Sequence, residues 1–292
     1  MNSKKRAVAL GLFDGVHLGH RAVIAKAVEM AEHGYIPSAF TFACSSLLEK
    51  QGRIIEYIYP DSFKAELISE LGIGDIFCED FSSIKDLSGE EFVRDFLKEK
   101  LSTCFVSCGR DFRFGKNASC NISDLSELCR RYGIGLGITE DVTSGGENIS
   151  SRRIRELLSS GNMTFAAELL GRCYSICSEV VHGKHLGRTL GFPTINQNFS
   201  PGQLVPRFGV YRTDVLVNGI TYAAVTDIGV KPTISGERSP LAETHIVGFE
   251  GDIYGETVNT SFRAFIRPEM KFSSLDELRI QIAEDTKAAM KL

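Results

Sequence analysis

The period of the hydrophobic pattern changes once along the 292-residue chain. Up to about residue 170, short apolar runs alternate with stretches in which apolar residues recur every three or four positions, as on one face of a helix. The runs predict strands at 6–12, 36–42, 75–78, 103–107 and 134–138. The helical spacing predicts helices at 18–33, 62–71, 88–98, 123–131, 151–159 and 165–170. Such alternation predicts an α/β fold with a parallel sheet, where ligands bind at the carboxyl ends of the strands.

After Gly171 the pattern becomes one of short alternating runs typical of strands. These runs lie at 174–181, 210–217, 221–227, 244–249 and 257–266. Asn218-Gly219 separates two of them and predicts a two-residue hairpin turn. Turns are also predicted at Lys231-Pro232, Ser235-Gly236 and Gly251-Asp252. Closely spaced antiparallel strands predict a small barrel.

The chain ends in an amphipathic stretch at about 275–290, with Ser274 and Glu277 placed to cap a helix. Because the pattern changes at residue 171, two domains are predicted, one at 1–171 and one at 172–292.

Composition excludes some classes of function. Lys+Arg is 33 and Asp+Glu is 37, a net charge of −4, whereas a broad nucleic-acid surface needs excess positive charge. The apolar run at Ala7–Leu12 is too short for a signal peptide or a membrane span, so we expect a cytoplasmic protein without a membrane partner. The eight cysteines are dispersed without a C-x-x-C pair, which favours reduced thiols over a disulfide or zinc framework.

The first candidate site follows the first predicted strand, where residues 11–20 read G-L-F-D-G-V-H-L-G-H. Gly15 permits a sharp turn, and Gly19 leaves room for a phosphate at the N-terminus of the next helix. His17 and His20 are three residues apart and can donate hydrogen bonds to charge developing on a leaving pyrophosphate. The alternative is two surface histidines at a loop.

A second cluster lies at 148–155, N-I-S-S-R-R-I-R. Ser150 or Ser151 can cap a helix, and the arginines can form a solvated face. In the same domain as the histidine motif, the cluster can instead act as a second phosphate clamp. Arg155 is then the expected contact, because a guanidinium matches the geometry of phosphate oxygens.

The second domain carries a glycine-rich loop at 182–196, in which Gly183, Gly187 and Arg188 are candidates for binding phosphate. Thr194 and Asn196 are two residues apart and face the same side of an extended chain. Their oxygens are hard ligands suited to a Mg²⁺ that bridges ATP phosphates. A glycine-rich hairpin with a turn asparagine explains the same residues.

Glu243 is predicted to open a strand at 243–249, where its carboxylate can accept a proton from an attacking hydroxyl. An isolated surface glutamate is the alternative.

Together these motifs resemble those of the prokaryotic bifunctional riboflavin kinase/FAD synthetase family. The resemblance rests on segments that include F-D-G-V-H-L-G-H at 13–20, G-R-D-F-R-F-G at 109–115, I-S-S-R-R-I-R at 149–155, G-R-T-L-G-F-P-T-I-N at 187–196 and E-T-H-I at 243–246. It implies a Rossmann-like nucleotidyltransferase domain that adenylylates FMN to FAD. It also implies a C-terminal six-stranded antiparallel β-barrel with a terminal helix, which phosphorylates riboflavin with ATP.

The resemblance also implies roles for individual residues. Thr194 and Asn196 hold Mg²⁺-ATP, Glu243 is the base for the riboflavin 5′-hydroxyl, and the loop from Gly183 to Gly191 closes over ATP. In the first domain, ATP contacts are expected at Gly11, Phe13, Asp14, Gly15, Gly19, Ser150, Ser151 and Arg155. Flavin contacts are expected at Asp111, Phe112, Phe114 and Arg267. Riboflavin, FMN and ATP are the expected small-molecule partners, with FMN and FAD as products. The sequence does not indicate an oligomeric state.

The chain departs from the family pattern at three places in the first domain, one of which is Cys120, where the family often has glycine. The family has T-F-x-P-x-P after the second strand, whereas residues 41–46 read T-F-A-C-S-S, and Arg152 stands where threonine is usual. Prolines stiffen a loop, so their loss predicts a looser flavin or adenine pocket. Three hypotheses follow: a bifunctional enzyme, a riboflavin kinase whose first domain only binds nucleotide, and a flavin-sensing binding protein.

Overall fold

The computed structural model describes residues 4–47, 49–50, 53–54, 56–183, 191–232 and 238–291. Its contacts divide the chain into two compact units, Met1–Ser151 and Arg152–Leu292. The domain limits predicted from the sequence, 1–171 and 172–292, differ from this division and stay a prediction.

The first unit is built on a five-stranded parallel sheet with strand order β5-β2-β1-β6-β7. Its strands are β1 (Arg6–Leu10), β2 (Ile36–Phe42), β5 (Asp75–Glu79), β6 (Thr103–Gly109) and β7 (Gly135–Thr139). Two small hairpins that the hydrophobic pattern did not predict are β3 (Glu49–Lys50) with β4 (Arg53–Ile54), and β8 (Thr143–Ser144) with β9 (Glu147–Asn148). The strand order reverses at β1, so its carboxyl end is the expected ligand edge.

The α-helices of this unit are α1 (Leu18–Glu29), α2 (Asp61–Glu70), α3 (Gly89–Glu91) and α4 (Ile122–Tyr132). Ser88 and Glu91 form the predicted capping box, with the Ser88 hydroxyl accepting the Glu91 N–H at 3.2 Å. The structure has the predicted helix at 88–98, and after one α turn this helix continues as a π-helix over Phe92–Lys100. Four buried side chains place that π-helix against the sheet: Phe92, Val93, Phe96 and Leu97.

The second unit contains α5 (Ser151–Ser160), which begins at the end of the first unit, α6 (Met163–Leu170) and a closed six-stranded barrel. The barrel order is β10-β11-β14-β13-β12-β15, and all of its pairs are antiparallel, as predicted. The strands are β10 (Tyr174–Val181), β11 (Thr194–Asn198), β12 (Gly209–Val217), β13 (Ile220–Pro232), β14 (Arg238–Ile246) and β15 (Thr257–Arg267). The terminal helix α7 (Leu275–Ala289) begins at Ser274, whose side chain accepts the Glu277 N–H.

Two strand limits differ from the prediction. Lys231-Pro232 is not a turn but the end of β13, and β14 begins at Arg238, so Glu243 lies in the middle of a strand. The β13–β14 ladder runs from Ala224–Ile246 to Pro232–Arg238, and this long pairing keeps the residues extended. The predicted turn at Ser235-Gly236 lies outside the described residues.

Among the described residues, no helix is long and apolar enough to cross a membrane. None of the eight cysteines, all within the described ranges, forms a disulfide.

Candidate active sites

The turn from β1 to α1 has an unusual backbone. Phe13, Gly15 and Val16 have φ values of 50°, 82° and 43°, in the left-handed region. Glycine adopts this region at little cost, whereas Phe13 and Val16 do so under strain. Both side chains are buried in the first unit, so packing holds the strained turn in place.

His17 and His20 lie together, as their spacing predicts. His17 is the N-cap of α1, and its Nδ1 accepts the backbone N–H of His20 at 3.3 Å. The two rings are stacked with centroids 3.6 Å apart, and the Phe13 ring lies edge-on to His20 at 5.4 Å. A Cβ on Gly19 would approach the His17 ring to 3.1 Å. The absence of a side chain at Gly19 therefore allows the His17 ring to stay where it is. Since His17 is only 5% exposed, it is not an ordinary surface histidine.

Two hydrogen bonds hold Asp14 in the same turn. Its carboxylate accepts the N–H of Ile58 at 2.7 Å, and its carbonyl accepts the Ser151 hydroxyl at 2.9 Å. Ser151 therefore contributes to the first site from the start of α5, and Ser150 directly precedes it.

The arginines of α5 lie in the second unit. Arg152, which stands where the family usually has threonine, is 85% exposed and pairs with Glu156 at 3.0 Å. The arginine side chain at this position therefore lies in solvent. Arg155 is half-buried one residue before Glu156.

Residues 109–115 leave β6, the parallel neighbour of β1, so they start at the same sheet edge as the histidine turn. Asp111 is exposed and Phe112 is half-buried. The Phe112 and Phe114 rings are stacked with centroids 5.9 Å apart. Phe114 belongs to the buried core, so Phe112 and Asp111 are the side chains that a ligand can reach.

In the barrel, Thr194 and Glu243 are hydrogen-bonded, with the Thr194 hydroxyl donating to Glu243 Oε1 at 2.9 Å. The β11–β14 register places Asn196 directly opposite Glu243, so their side chains share one face of the sheet. Gly183 lies so close to Asn196 that a Cβ there would overlap the Asn196 amide. Gly187 and Arg188 lie outside the described residues.

A cavity of about 390 Å³ lies beside these residues. Thr194 and Asn196 line one wall, and the segment Phe249–Tyr254 lines another. The rings of His182 and Tyr254 are stacked at 4.1 Å. A space that combines apolar side chains with a few oxygen ligands is typical of a nucleotide or small-molecule site.

Arg267, an expected flavin contact, forms an ion pair with Asp285 on α7, with its Nη2 donating to Oδ2 at 2.7 Å. The pair is largely buried, and it ties the end of β15 to the terminal helix.

Sequence reasoning missed two features. Asp227 lies opposite Glu243 in the β13–β14 register, a position that depends on strand pairing and leaves no mark in the sequence. Lys64 is buried beside Asp61 and Cys44 in the first unit. A lysine within an amphipathic helix pattern is expected at the surface, so nothing in the pattern marked it.

An α/β unit with paired histidines at its ligand edge, joined in one chain to a barrel with a Thr–Glu–Asn cluster, is typical of enzymes that act on nucleotide phosphates. A family model described as FAD synthetase matches residues 1–153, and one described as riboflavin kinase matches residues 170–292. The chain belongs to the bifunctional riboflavin kinase/FMN adenylyltransferase family.

Similar proteins carry that family name. The chain is 33% identical over 287 residues to the bifunctional riboflavin kinase/FMN adenylyltransferase of Listeria monocytogenes, covering 96% of this chain and 90% of that protein. It is 35% identical over 289 residues to the Escherichia coli K12 enzyme, covering 95% and 90%. The fold is similar to the crystal structure of a macrolide-efflux protein from Streptococcus pneumoniae, with a TM-score of 0.86, 28% identity and coverage of 100% and 96%.

Proposed function

We propose that the chain makes FAD from riboflavin in two ATP-dependent steps. The barrel unit phosphorylates riboflavin to FMN, and the parallel-sheet unit transfers AMP from ATP to FMN with release of pyrophosphate. The family membership supports both activities. The bond from Thr194 to Glu243 is the observation that carries the residue assignments, because it joins the candidate base to the candidate metal and ATP ligand.

In the kinase step, Glu243 accepts the proton of the riboflavin 5′-hydroxyl as its oxygen attacks the γ-phosphorus of ATP. The new P–O bond forms as the bond to ADP breaks, and ADP leaves. Thr194 donates to one carboxylate oxygen of Glu243 and thereby restrains the base. Positioning and charge neutralisation are the main needs of phosphoryl transfer.

The residues present fit a magnesium ion bound with ATP. The Thr194 hydroxyl and the Asn196 amide are hard oxygen ligands on adjacent positions of one strand face, and the close packing of Gly183 limits where the amide can lie. When bound, such an ion neutralises phosphate charge. Gly187 and Arg188 are proposed to contact the phosphates of ATP.

In the adenylyl step, a phosphate oxygen of FMN attacks the α-phosphorus of ATP, and pyrophosphate leaves with its bonding electrons. His17 and His20 are proposed to donate hydrogen bonds to the charge that develops on it. The glycines that leave room for the phosphates are Gly11, Gly15 and Gly19. The residues that shape the turn are Phe13, Asp14, Ser150 and Ser151. Arg155 is proposed as a further phosphate contact.

The flavin contacts are also proposals. Phe112 offers a half-buried ring at the ligand edge of the first unit, with Asp111 beside it and Phe114 supporting it from the core. Arg267 is proposed as a flavin contact, and its guanidinium is held by the ion pair with Asp285 on α7.

The other two hypotheses are less well supported. A kinase with an inactive first domain does not require the stacked pair His17 and His20, and a flavin sensor does not require the base Glu243. A cytoplasmic location is part of the proposal, since eight cysteines that form no disulfide fit a reducing compartment.

Two variants test the assignment in one chromatographic time course that resolves riboflavin, FMN and FAD. Glu243→Gln keeps an acceptor for Thr194 but removes the base, so FMN formation should fall about 10²- to 10⁴-fold while FAD formation from added FMN is unchanged. His20→Ala should slow FAD formation about 10²- to 10³-fold and leave FMN formation unchanged.

Glu179→Gln and His33→Ala are the matched controls, since both side chains are exposed and lie outside either site. Both should keep wild-type rates. Full kinase activity in Glu243→Gln would remove the proposed base, and equal slowing of both reactions by His20→Ala would contradict two independent sites.

A further inference from the structure

Lys64 on α2 is 2% exposed, although lysine is rarely buried without a partner. Its ammonium donates to Asp61 Oδ1 at 2.9 Å, to the Phe42 carbonyl at 2.8 Å and to the Thr41 hydroxyl at 3.4 Å. The three hydrogens of the ammonium thus meet three oxygen acceptors, which compensates for the loss of water around the charge.

The Asp61 carboxylate has a second partner besides Lys64. Its two oxygens lie 3.1 and 2.9 Å from the backbone N–H of Cys44. Burial opposes ionisation of Asp61, but hydrogen bonds from the Cys44 side chain and Lys64, the lysine charge and the Cys44 backbone N–H together outweigh it and lower its pKa. The contact with Cys44 is therefore a charge-assisted hydrogen bond.

The Cys44 side chain also contacts both charges: it hydrogen-bonds to Asp61, and its Sγ lies 3.7 Å from Lys64 Nζ. Burial raises the pKa of Cys44 to about 12, so the thiol stays protonated. Its Sγ lies 3.6 Å from the Tyr59 carbonyl.

The backbone N–H is what distinguishes Cys44 from the family pattern. Cys44 stands at the first proline of T-F-x-P-x-P, and proline has no N–H to donate. The bond to Asp61 exists only because this residue is not proline. The chain thus replaces a stiff ring in the loop after β2 with a hydrogen bond to the ion pair of Asp61 with the buried Lys64.

A further hydrogen bond links this arrangement to the histidine turn. The Thr41 hydroxyl oxygen accepts a hydrogen bond from Lys64, so the hydroxyl hydrogen points away from the lysine. The Thr41 hydroxyl donates this hydrogen to the Leu12 carbonyl at 2.8 Å. Leu12 precedes Phe13, whose ring lies against His20. A backbone bond from Gly11 to Phe40 at 3.2 Å joins the same two segments.

We propose that Cys44, Asp61 and Lys64, named here the β2 clamp, position the histidine turn for adenylyl transfer. They act through Thr41 and Leu12 and are positioning residues. This inference rests on the proposed roles of His17 and His20.

The decisive comparison is Cys44→Pro against Cys44→Ala in the full chain, with kcat and KM measured for FAD formation from FMN. Cys44→Ala keeps the N–H and loses only the side chain, so its kcat should fall much less than that of Cys44→Pro. Cys44→Pro removes it, and kcat should fall up to about 100-fold, as for a displacement of catalytic groups by about 1 Å. KM for ATP should change much less than kcat, and kinase activity should not change.

Thr41→Val against Thr41→Ser tests the next link and replaces the first pair if hydrogen exchange shows that Cys44→Pro unfolds β1 and β2. Thr41→Val should lower kcat, and Thr41→Ser should restore it. Two outcomes would overturn the proposed role of the β2 clamp. One is a wild-type kcat in both Thr41→Val and a folded Cys44→Pro. The other is an equal loss of kcat in Cys44→Pro and Cys44→Ala. An active His20→Ala would instead contradict the proposed function, whatever the Cys44 pair shows.

Discussion

Gly183 shows how one missing Cβ affects the barrel site. Its backbone lies against the amide of Asn196, and Asn196 lies opposite Glu243 in the strand register. A side chain at residue 183 would therefore move a proposed ligand of Mg²⁺-ATP without touching the proposed base. Local chemistry suggested a flexible glycine at this place, whereas the structure shows that glycine is needed for close packing.

Gly183→Ala is expected to lower kinase kcat by up to about 100-fold, because the added methyl displaces the Asn196 amide by about 1 Å. Asn196→Ala should give a loss of similar size. If both act through the same amide, the double variant should lose little more than either single variant, as expected for coupled residues. Fully additive losses would show that Gly183 acts independently of Asn196.

At the scale of elements, the β12–β13 hairpin illustrates a structure that local chemistry specifies. Asn218 and Gly219 have φ values of 50° and 78°, so both adopt the left-handed conformation of the predicted two-residue turn. The flanking strands pair from Val217–Ile220 to Gly209–Ile228 without a register shift. The turn and the alternating pattern thus agree, and this part of the barrel was predicted correctly.

Gly219→Ala is expected to lower the free energy of unfolding of the barrel by about 1–2 kcal/mol, the cost of placing a Cβ in the left-handed region. Hydrogen exchange of the β12 and β13 amides, followed along a urea titration, measures the free energy of unfolding of the barrel separately from that of the first unit. Gly219→Asn is the matched control and should cost less, because asparagine tolerates this conformation. Equal stability of the alanine variant and the parent would contradict the turn geometry.

At the scale of the whole molecule, the question is where the barrel unit begins. α6 contacts β10 and β15, and its Met163, Leu169 and Leu170 side chains are buried. The N–H of Arg207, which precedes β12, donates to the Leu158 carbonyl of α5 at 3.1 Å. We therefore propose that α5 and α6 belong structurally with the barrel, although the change of pattern placed the boundary at residue 171.

A fragment of residues 152–292 should fold and phosphorylate riboflavin with the kcat of the full chain. A fragment of residues 172–292 should be several kcal/mol less stable, since burial of each large apolar side chain of α6 contributes about 1.5–3 kcal/mol. Urea unfolding of both fragments, with kinase assays beside it, measures the difference. Equal stability of the two fragments would return the boundary to residue 171.

The amino-acid sequence by itself determined the order of elements, the change from an α/β unit to an antiparallel barrel, the Asn218-Gly219 turn and the closeness of His17 and His20. All of these depend on spacing along the chain and on local backbone preference. Only the tertiary structure decided the pairing register that places Asp227 opposite Glu243 and the burial of Lys64 beside Asp61. Such contacts join residues that are distant in sequence or depend on packing, and local periodicity carries no record of either.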